Sequence, residues 1–194
     1  MPKIGFSNLV AFPMDEATDV KGGVVTYLEP FDISEAITGG FTPTVVEGSL
    51  YADDQQTDQH SSISGYDISL NTRDLTPEVE AKLLGYEVDS NGGVLRTSDA
   101  VAPYVALAFR SLLSDNTYEY NVLYKVKFAP VSRDHQTKGE SIEYQTPTIS
   151  GRAIPRRADG ALDYTMRENK TNATVVAAWF DEVAEKGTPT TPEV

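Results

Sequence analysis

The chain has 194 residues and a formal net charge of −13, with 40% hydrophobic and 23% charged residues. This length and composition favour one well-packed domain and exclude a disordered chain, while the acidic balance excludes nucleic-acid binding through a basic face. The absence of cysteine excludes disulfides, thiolate metal sites and cysteine nucleophiles.

The sequence predicts neither a signal peptide nor a membrane-spanning segment. Residues 1–6 lack a basic region followed by an apolar stretch, and no apolar run approaches the roughly 20 residues that span a bilayer. We therefore expect a protein made in the cytoplasm that does not associate with a membrane. Its single domain is expected to cover residues 1–186, followed by a flexible tail, rich in Thr and Pro, over residues 187–194.

The N-terminal half is predicted to be mostly strand. Short runs of β-branched and aromatic residues alternate there with Gly, Asn, Asp and Pro. These runs predict strands at residues 8–12, 24–28, 31–37, 45–51 and 62–70.

Residues 52–61 separate two of these strands and are polar after Ala52. The segment exceeds the two to five residues usual in a hairpin, so a long loop is predicted. Such a loop is either mobile filler or an arm that orders against a partner. Its aspartates lack the central glycine and closing glutamate of a calcium loop, so no metal site is expected. The candidate contact residues in this loop are Asp53, Asp54, Asp58 and His60.

A short helix is predicted after the fifth strand. Thr76 can cap its start, Pro77 suits the first helical position, and Gly85 can close its end. A second helix is predicted near the C-terminus, from the capping residue Asn172 to about Glu185. Its apolar residues recur at helical spacing, with Trp179 at the centre of a core-facing stripe.

Between the helices, residues 104–113 and 118–129 flank a segment of turn composition and predict a long antiparallel hairpin. In its second strand, Val122, Tyr124, Val126 and Phe128 alternate with Leu123, Lys125 and Lys127, which predicts one buried face. A further strand is predicted over residues 141–154. Pro147 lies inside it and indicates a sheet edge or a bulge.

The sequence offers little catalytic apparatus. Its two histidines, His60 and His135, lie in polar segments without metal-ligand partners at useful spacing. Nucleophile elbows, phosphate-binding glycine loops and zinc-protease helices are absent. We therefore predict no enzyme, no cofactor and no metal.

A basic cluster formed by Arg152, Arg156 and Arg157 precedes Asp159. These arginines can hold a phosphate or pair with acidic groups on a neighbouring subunit. Intramolecular salt bridges explain the same cluster, so the sequence supports both a contact role and a structural role for these arginines.

A second class of function comes from the aromatic residues. They can form a platform for a surface ligand such as a carbohydrate on a β-sandwich binding or adhesin module, although their strand phase places several in a core or interface. The platform residues are Tyr104, Tyr118, Tyr120, Tyr124 and Trp179.

Residues 50–157 resemble the major tail (tail tube) protein family of siphophages of the phi13 type. The resemblance is carried by an ordered series of phrases. They are Leu50-Tyr51-Ala52-Asp53-Asp54, Ile68-Ser69-Leu70, Leu83-Leu84-Gly85-Tyr86, Asn91-Gly92-Gly93-Val94, Pro103-Tyr104-Val105-Ala106-Leu107-Ala108-Phe109, Leu123-Tyr124-Lys125-Val126-Lys127-Phe128, residues 137–151 and Arg156-Arg157-Ala158-Asp159-Gly160.

The resemblance implies a mainly β (α+β) fold, an antiparallel sandwich or barrel-like domain with one short and one C-terminal helix. It also implies a structural virion protein of the phage tail that forms hexameric rings stacked into a tube. Tape-measure and terminator or distal tail proteins are the implied partners, and DNA passes through without specific binding. Under this resemblance, the segment from Asp53 to His60 is expected to be a ring-stacking or inter-subunit arm, and Arg152, Arg156 and Arg157 are expected to contact a neighbouring subunit.

Overall fold

A computed structural model of the chain describes residues 1–52, 55–133, 137 and 144–187. It shows an antiparallel, mainly β fold with two helices, which confirms the predicted fold class. The elements are β1 (Lys3–Pro13), β2 (Phe31–Ser34), β3 (Ala36–Ala52), β4 (Gln55–Thr72), α1 (Pro77–Leu84), β5 (Glu87–Val88), β6 (Val94–Leu95), β7 (Val105–Leu113), β8 (Tyr118–Phe128), β9 (Thr148–Ala153), β10 (Asp163–Arg167) and α2 (Ala173–Ala177).

The main sheet has the strand order β2-β1-β7-β8-β9-β4-β3. Strand β10 lies off this path and pairs with the first half of β8, whereas β9 pairs with its last residues. The two end strands of the order, β2 and β3, are consecutive in the chain and are separated by Glu35 alone. The sheet therefore curls round until its edges meet, although β2 and β3 do not pair with each other.

Two hydrophobic clusters cover opposite faces of the central strands. The first contains Leu9, Leu70, Leu107 and Ile149 inside the curled sheet, with α1 packed against it through Leu83. The second lies under the C-terminal segment. Its largest side chains are Phe12, Val122, Tyr124 and Trp179. Strands β1, β7 and β8 contribute to both clusters, so the centre of the sheet is buried on both sides.

The hairpin of β7 and β8 is confirmed, but the predicted division of β8 into two faces is wrong. Val105 pairs with Val126 and Leu107 pairs with Leu123, so β8 carries one extra residue between these pairs. This β-bulge changes the phase of the alternation. Val126 therefore joins Leu123 in the first cluster, and Val122 and Tyr124 lie in the second.

The predicted long loop over residues 52–61 is also wrong. Strand β4 begins at Gln55, and the pairs from Gly48 with His60 to Ala52 with Gln55 continue the β3–β4 ladder through this segment. Polar composition suggested a loop, but the side chains described on both faces of these strands are exposed, so apolar alternation is not required. Asp53 and Asp54 lie outside the described residues.

Three further strand predictions need correction. Residues 24–28 form a loop with one bridge, between Tyr27 and Met14. The Tyr27 hydroxyl donates a hydrogen bond to the Tyr124 carbonyl oxygen, which holds Tyr27 against the core. The predicted strand 31–37 is divided at Glu35, where the chain passes from one sheet edge to the other. Strand β9 begins only at Thr148, after Pro147, and residues 141–143 of the predicted strand lie outside the described residues.

The first predicted helix is confirmed in detail. The Thr76 side chain accepts a hydrogen bond from the Val79 amide, Pro77 opens the helix, and Gly85 ends it at φ 71° in the left-handed region. A side chain at Gly85 would also place its Cβ 2.3 Å from the Val101 carbonyl oxygen. Glycine is thus required there by both conformation and space.

The C-terminal helix is shorter than predicted. It ends at Ala177, and the Asn172 side chain makes no cap; it bonds instead to the Asn169 amide and the Arg167 carbonyl. Tertiary contacts replace the remaining turns, because Trp179 must reach Tyr164 and Tyr120 in the core. In the described part of the chain, neither helix has the length and apolar character needed to cross a bilayer.

Candidate subunit interface

The outer part of the β3–β4 hairpin projects from the sheet as a two-stranded ribbon, defined as residues 45–63. Its pairs run from Val45 with Ile63 to Ala52 with Gln55, and β4 begins to pair with β9 only at Tyr66. All side chains that the structure describes in the ribbon are exposed. The ribbon is therefore a long surface that its own chain leaves uncovered.

The ribbon brings two of the predicted contact residues together. Directly paired residues of antiparallel strands point to the same face, and residues two apart along a strand share that face. His60 pairs with Gly48 and Asp58 pairs with Leu50, so Asp58 and His60 lie side by side. Asp58 also accepts a hydrogen bond from the Gln59 amide, at 2.8 Å.

Apolar side chains are exposed on both faces of the ribbon. Val45 and Ile63 are paired on one face and are 44% and 52% exposed, and Val46 on the other face is 56% exposed. A two-stranded hairpin without a covered face is only marginally stable in water. Burial of these side chains against another surface would stabilise it.

Arg156, one of the predicted contact residues, is buried within its own chain. It is 4% exposed, and its guanidinium contacts Glu185 at 2.5 Å and Asp159 at 2.6 Å. The guanidinium also stacks 4.0 Å from the Tyr124 ring centroid. Burial by itself would lower the pKa of Arg156, but the hydrogen bonds to Glu185 and Asp159 raise it. This arginine holds the C-terminal segment to the sheet within its own chain.

A second buried ion pair lies next to this network. Lys125 of β8 contacts Asp19 at 2.5 Å, and both residues are buried. Asp19 also accepts hydrogen bonds from the amides of Arg157 and Ala158, at 2.7 and 3.0 Å. These bonds fix the turn after β9. Sequence reasoning missed Asp19, because its partners lie more than 100 positions away and no local pattern marks it.

Arg152 and Arg157 remain on the surface. Arg152 lies in β9 between two charged neighbours, since it pairs with Asp67 of β4 on one side and Lys127 of β8 on the other. Arg157 follows Arg156 in the turn that Asp19 fixes. The three arginines predicted as one cluster therefore divide into two surface residues and one buried residue.

The predicted aromatic platform does not form. Tyr120, Tyr124 and Trp179 are at most 5% exposed and belong to the second hydrophobic cluster. Tyr118 packs beneath Arg110, and Tyr104 lies beneath two lysines of β8. Buried aromatic faces cannot stack on a sugar, so the hypothesis of a carbohydrate-binding module loses its main support.

An open cleft of about 630 Å³ lies between the start of β1, β3 and β10. Phe41 and Phe109 lie in it and stack at 4.5 Å. Burial by itself would raise the pKa of Glu119, but hydrogen bonds from Lys3 and Arg167 lower it. Across residues 1–52, 55–133, 137 and 144–187, no three His, Asp or Glu side chains are grouped to hold a metal ion.

The comparison with protein families identifies the chain. A model of the phage tail tube protein family matches residues 31–184, more than three quarters of the sequence. The chain belongs to the phage tail tube protein family. A search of curated proteins found no match.

Family membership confirms the resemblance to a phage major tail protein. This tail tube protein is accordingly a structural component of the phage tail. The matched range begins at β2 and contains the whole ribbon and the turn that carries Arg156 and Arg157. Both surfaces predicted as contacts thus lie within the family match.

Proposed function

We propose that this tail tube protein assembles with copies of itself into hexameric rings, and that the rings stack into a tube through which the phage genome passes. The observation that supports this proposal most directly is the ribbon. A surface of two long strands with exposed Val45, Val46 and Ile63 gains stability when a second subunit covers it. Free backbone groups along its outer edges are also suited to pairing with a neighbouring strand.

The charge of the subunit suits a conduit. Each copy carries a formal net charge of −13, so a ring of six repels passing DNA wherever that sign faces the lumen. DNA would then move without specific binding. The same charge opposes association of subunits, but screening over about 8 Å at physiological salt weakens this repulsion. Apolar burial and strand pairing supply the attraction.

Within this proposal, the ribbon residues Asp58 and His60 and the surface residues Arg152 and Arg157 contact neighbouring subunits. Arg156 contributes indirectly: its ion pair with Asp159 fixes the turn that exposes Arg157 to a neighbour. The tape-measure protein and the terminator or distal tail proteins are the proposed further partners. The subunit is made in the host cytoplasm before it joins the tail.

The test is assembly of the purified protein, followed by electron microscopy. We expect rings or hollow tubes from the wild type and a strictly monomeric species if the proposal is wrong. A deletion variant lacks residues 49–59 and joins Gly48 to His60 through Asn-Gly, a sequence that favours a two-residue hairpin turn. This variant should fold, because none of the ribbon side chains that the structure describes is buried, but it should polymerise poorly. Unchanged tube yield would reject the ribbon as the contact arm.

A further inference from the structure

Basic residues are unevenly distributed along the chain. Residues 22–72 contain eight acidic residues and neither lysine nor arginine. This range includes the whole ribbon, where Glu47 and Asp58 are exposed. The ribbon is therefore purely anionic, and any subunit surface that receives it by charge complementarity must be cationic.

A cationic surface exists at the base of the hairpin. Lys127 of β8 and Arg152 of β9 are paired directly across the two strands, on the side opposite Val126 and Ala153. Lys127 also lies 5.0 Å above the ring of Tyr104. We call Lys127, Arg152 and Tyr104 the root patch.

The root patch has an unbalanced charge in the isolated subunit. Like charges directly opposite each other across a sheet are destabilising. In the described part of the chain neither Lys127 nor Arg152 forms an ion pair within 4.0 Å. Asp67, which is paired with Arg152 on the other side and accepts a hydrogen bond from the Thr44 hydroxyl, offsets one of the two positive charges. The row keeps a net positive charge, which an external anion would balance.

The ribbon of the same chain cannot supply that anion. Arg152 pairs with Asp67, and Asp58 lies nine residues further along the same strand. At about 3.3 Å per residue, the two positions are roughly 30 Å apart. Contact between the acidic ribbon and the root patch must therefore join two different subunits.

We infer that the anionic ribbon of one subunit docks on the root patch of the next, with Asp58 facing Lys127 and Arg152 of the neighbour. Glu47 lies on the opposite face of the ribbon and adds to its negative charge. This inference rests on the proposed function and names the partner surface of the ribbon. The contact is heterologous, because it joins two different surfaces of identical chains. Such contacts propagate as a ring or as an open polymer with a direction. The assembled tube is consequently polar, with ribbons pointing to one end.

The test uses two charge-reversed variants of the full chain. The ribbon variant carries Glu47→Lys and Asp58→Lys, and the root variant carries Lys127→Glu and Arg152→Glu. Each variant alone sets like charges against each other, and we expect its yield of sedimentable tube to fall at least about tenfold at physiological salt. In an equimolar mixture, opposite charges meet wherever the two variants alternate, so the mixture should recover tubes in which they alternate. The chain carrying all four changes should also form tubes.

Matched controls separate a local effect from a change in net charge. Glu87→Lys with Glu182→Lys, and Lys82→Glu with Lys170→Glu, make the same charge changes at exposed positions away from both surfaces. These controls should assemble like the wild type. Circular dichroism and thermal unfolding establish that each variant is folded.

The outcomes distinguish the inference from the proposed function. If the wild type forms tubes and either reversed variant does so equally well, the docking inference is overturned while the tube function stands. Folded variants that fail alone and also fail as a mixture overturn it as well. A wild type that stays monomeric overturns the proposed function itself.

Discussion

Two cations, Lys125 and Arg156, lie inside this tail tube protein, and carboxylates from distant parts of the chain hold them. Lys125 contacts Asp19 near the N-terminus, and Arg156 contacts Glu185 near the C-terminus. Removing one member of a buried pair leaves a charge without its partner, which costs more than the pair contributes. These residues consequently tie both ends of the chain to the sheet.

Replacing Arg156 by Ala should lower the free energy of unfolding by about 2–3 kcal/mol, below the full cost of breaking a buried pair because Asp159 and Glu185 are partly exposed. The change also removes the stacking on Tyr124. Denaturant titration of the unassembled protein measures the loss. Arg157→Ala, at the exposed neighbouring position, is the control and should change stability by less than about 0.5 kcal/mol. Equal effects of the two changes would contradict the buried network.

The Asp19 pair predicts how stability depends on pH. Burial by itself would raise the pKa of Asp19, but the hydrogen bonds from Lys125 and from the amides of Ala158 and Arg157 lower it below 3.8. The folded protein then binds this proton less readily than the unfolded chain. The stabilisation is therefore fully present above about pH 4 and is lost as the pH falls through the lowered pKa.

Asp19→Asn should be less stable than the wild type at pH 7, because Lys125 stays buried without a counter-charge. Its unfolding free energy should also fall less steeply from pH 4 to pH 2. Denaturant titrations across this range measure both effects, with the exposed Asp181→Asn as control. Parallel curves for the wild type and Asp19→Asn would show that this carboxylate does not contribute.

Two irregularities in the strands position the root patch and the ribbon. The bulge in β8 brings Val126 and Phe128 into the core and so directs Lys127 to the outer side. At the root of the ribbon, β4 passes so close to β9 that a Cβ on Gly65 would lie 2.3 Å from the Ala153 carbonyl oxygen. The absence of a side chain at Gly65 lets the two strands approach each other where the ribbon leaves the sheet.

Gly65→Ala should destabilise the protein by about 2 kcal/mol, because a backbone oxygen cannot move aside as a side chain does. Gly48 offers a matched control in the same ribbon, where an added Cβ meets nothing within 4 Å. Gly48→Ala should stay within about 0.5 kcal/mol of the wild type. Thermal and denaturant unfolding of the unassembled subunits compare them, and a neutral Gly65→Ala would refute the close approach.

At the scale of the whole molecule, the protein consists of a buried centre and an exposed ribbon. Strands β7 and β8 are covered on both faces, whereas no described side chain in residues 45–63 is buried. Local stability follows the number of buried contacts and falls towards zero where there are none. Assembly is therefore expected to stabilise the ribbon far more than the centre.

Hydrogen exchange tests this difference. In the free subunit, backbone amides of residues 45–52 should exchange with little protection, and those of residues 107–109 should be well protected. In assembled tubes, exchange in the ribbon should slow by at least about tenfold, because a neighbour covers it. Residues 107–109 should change little. A ribbon that is already protected in the monomer would contradict the proposed role of assembly.

Features that depend on neighbours in the chain could be predicted from the sequence. Alternating β-branched residues predict the β7–β8 hairpin, and the Thr76 cap, Pro77 and Gly85 predict α1 almost to the residue. These signals act over a few residues, so local pattern is sufficient to read them. The ordered phrases also indicate the tail protein family that the match over residues 31–184 confirms.

Features that depend on distant residues became visible only in the folded protein. The extra residue in β8 changes which side chains face each hydrophobic cluster. Residues predicted as a loop form the ribbon instead. The second helix ends early, and Trp179 packs in the core. Burial likewise separates Arg156 from Arg152 and Arg157, which the sequence presents as one cluster. The energy of a buried side chain is set by what packs around it, and residues more than 100 positions away supply those contacts.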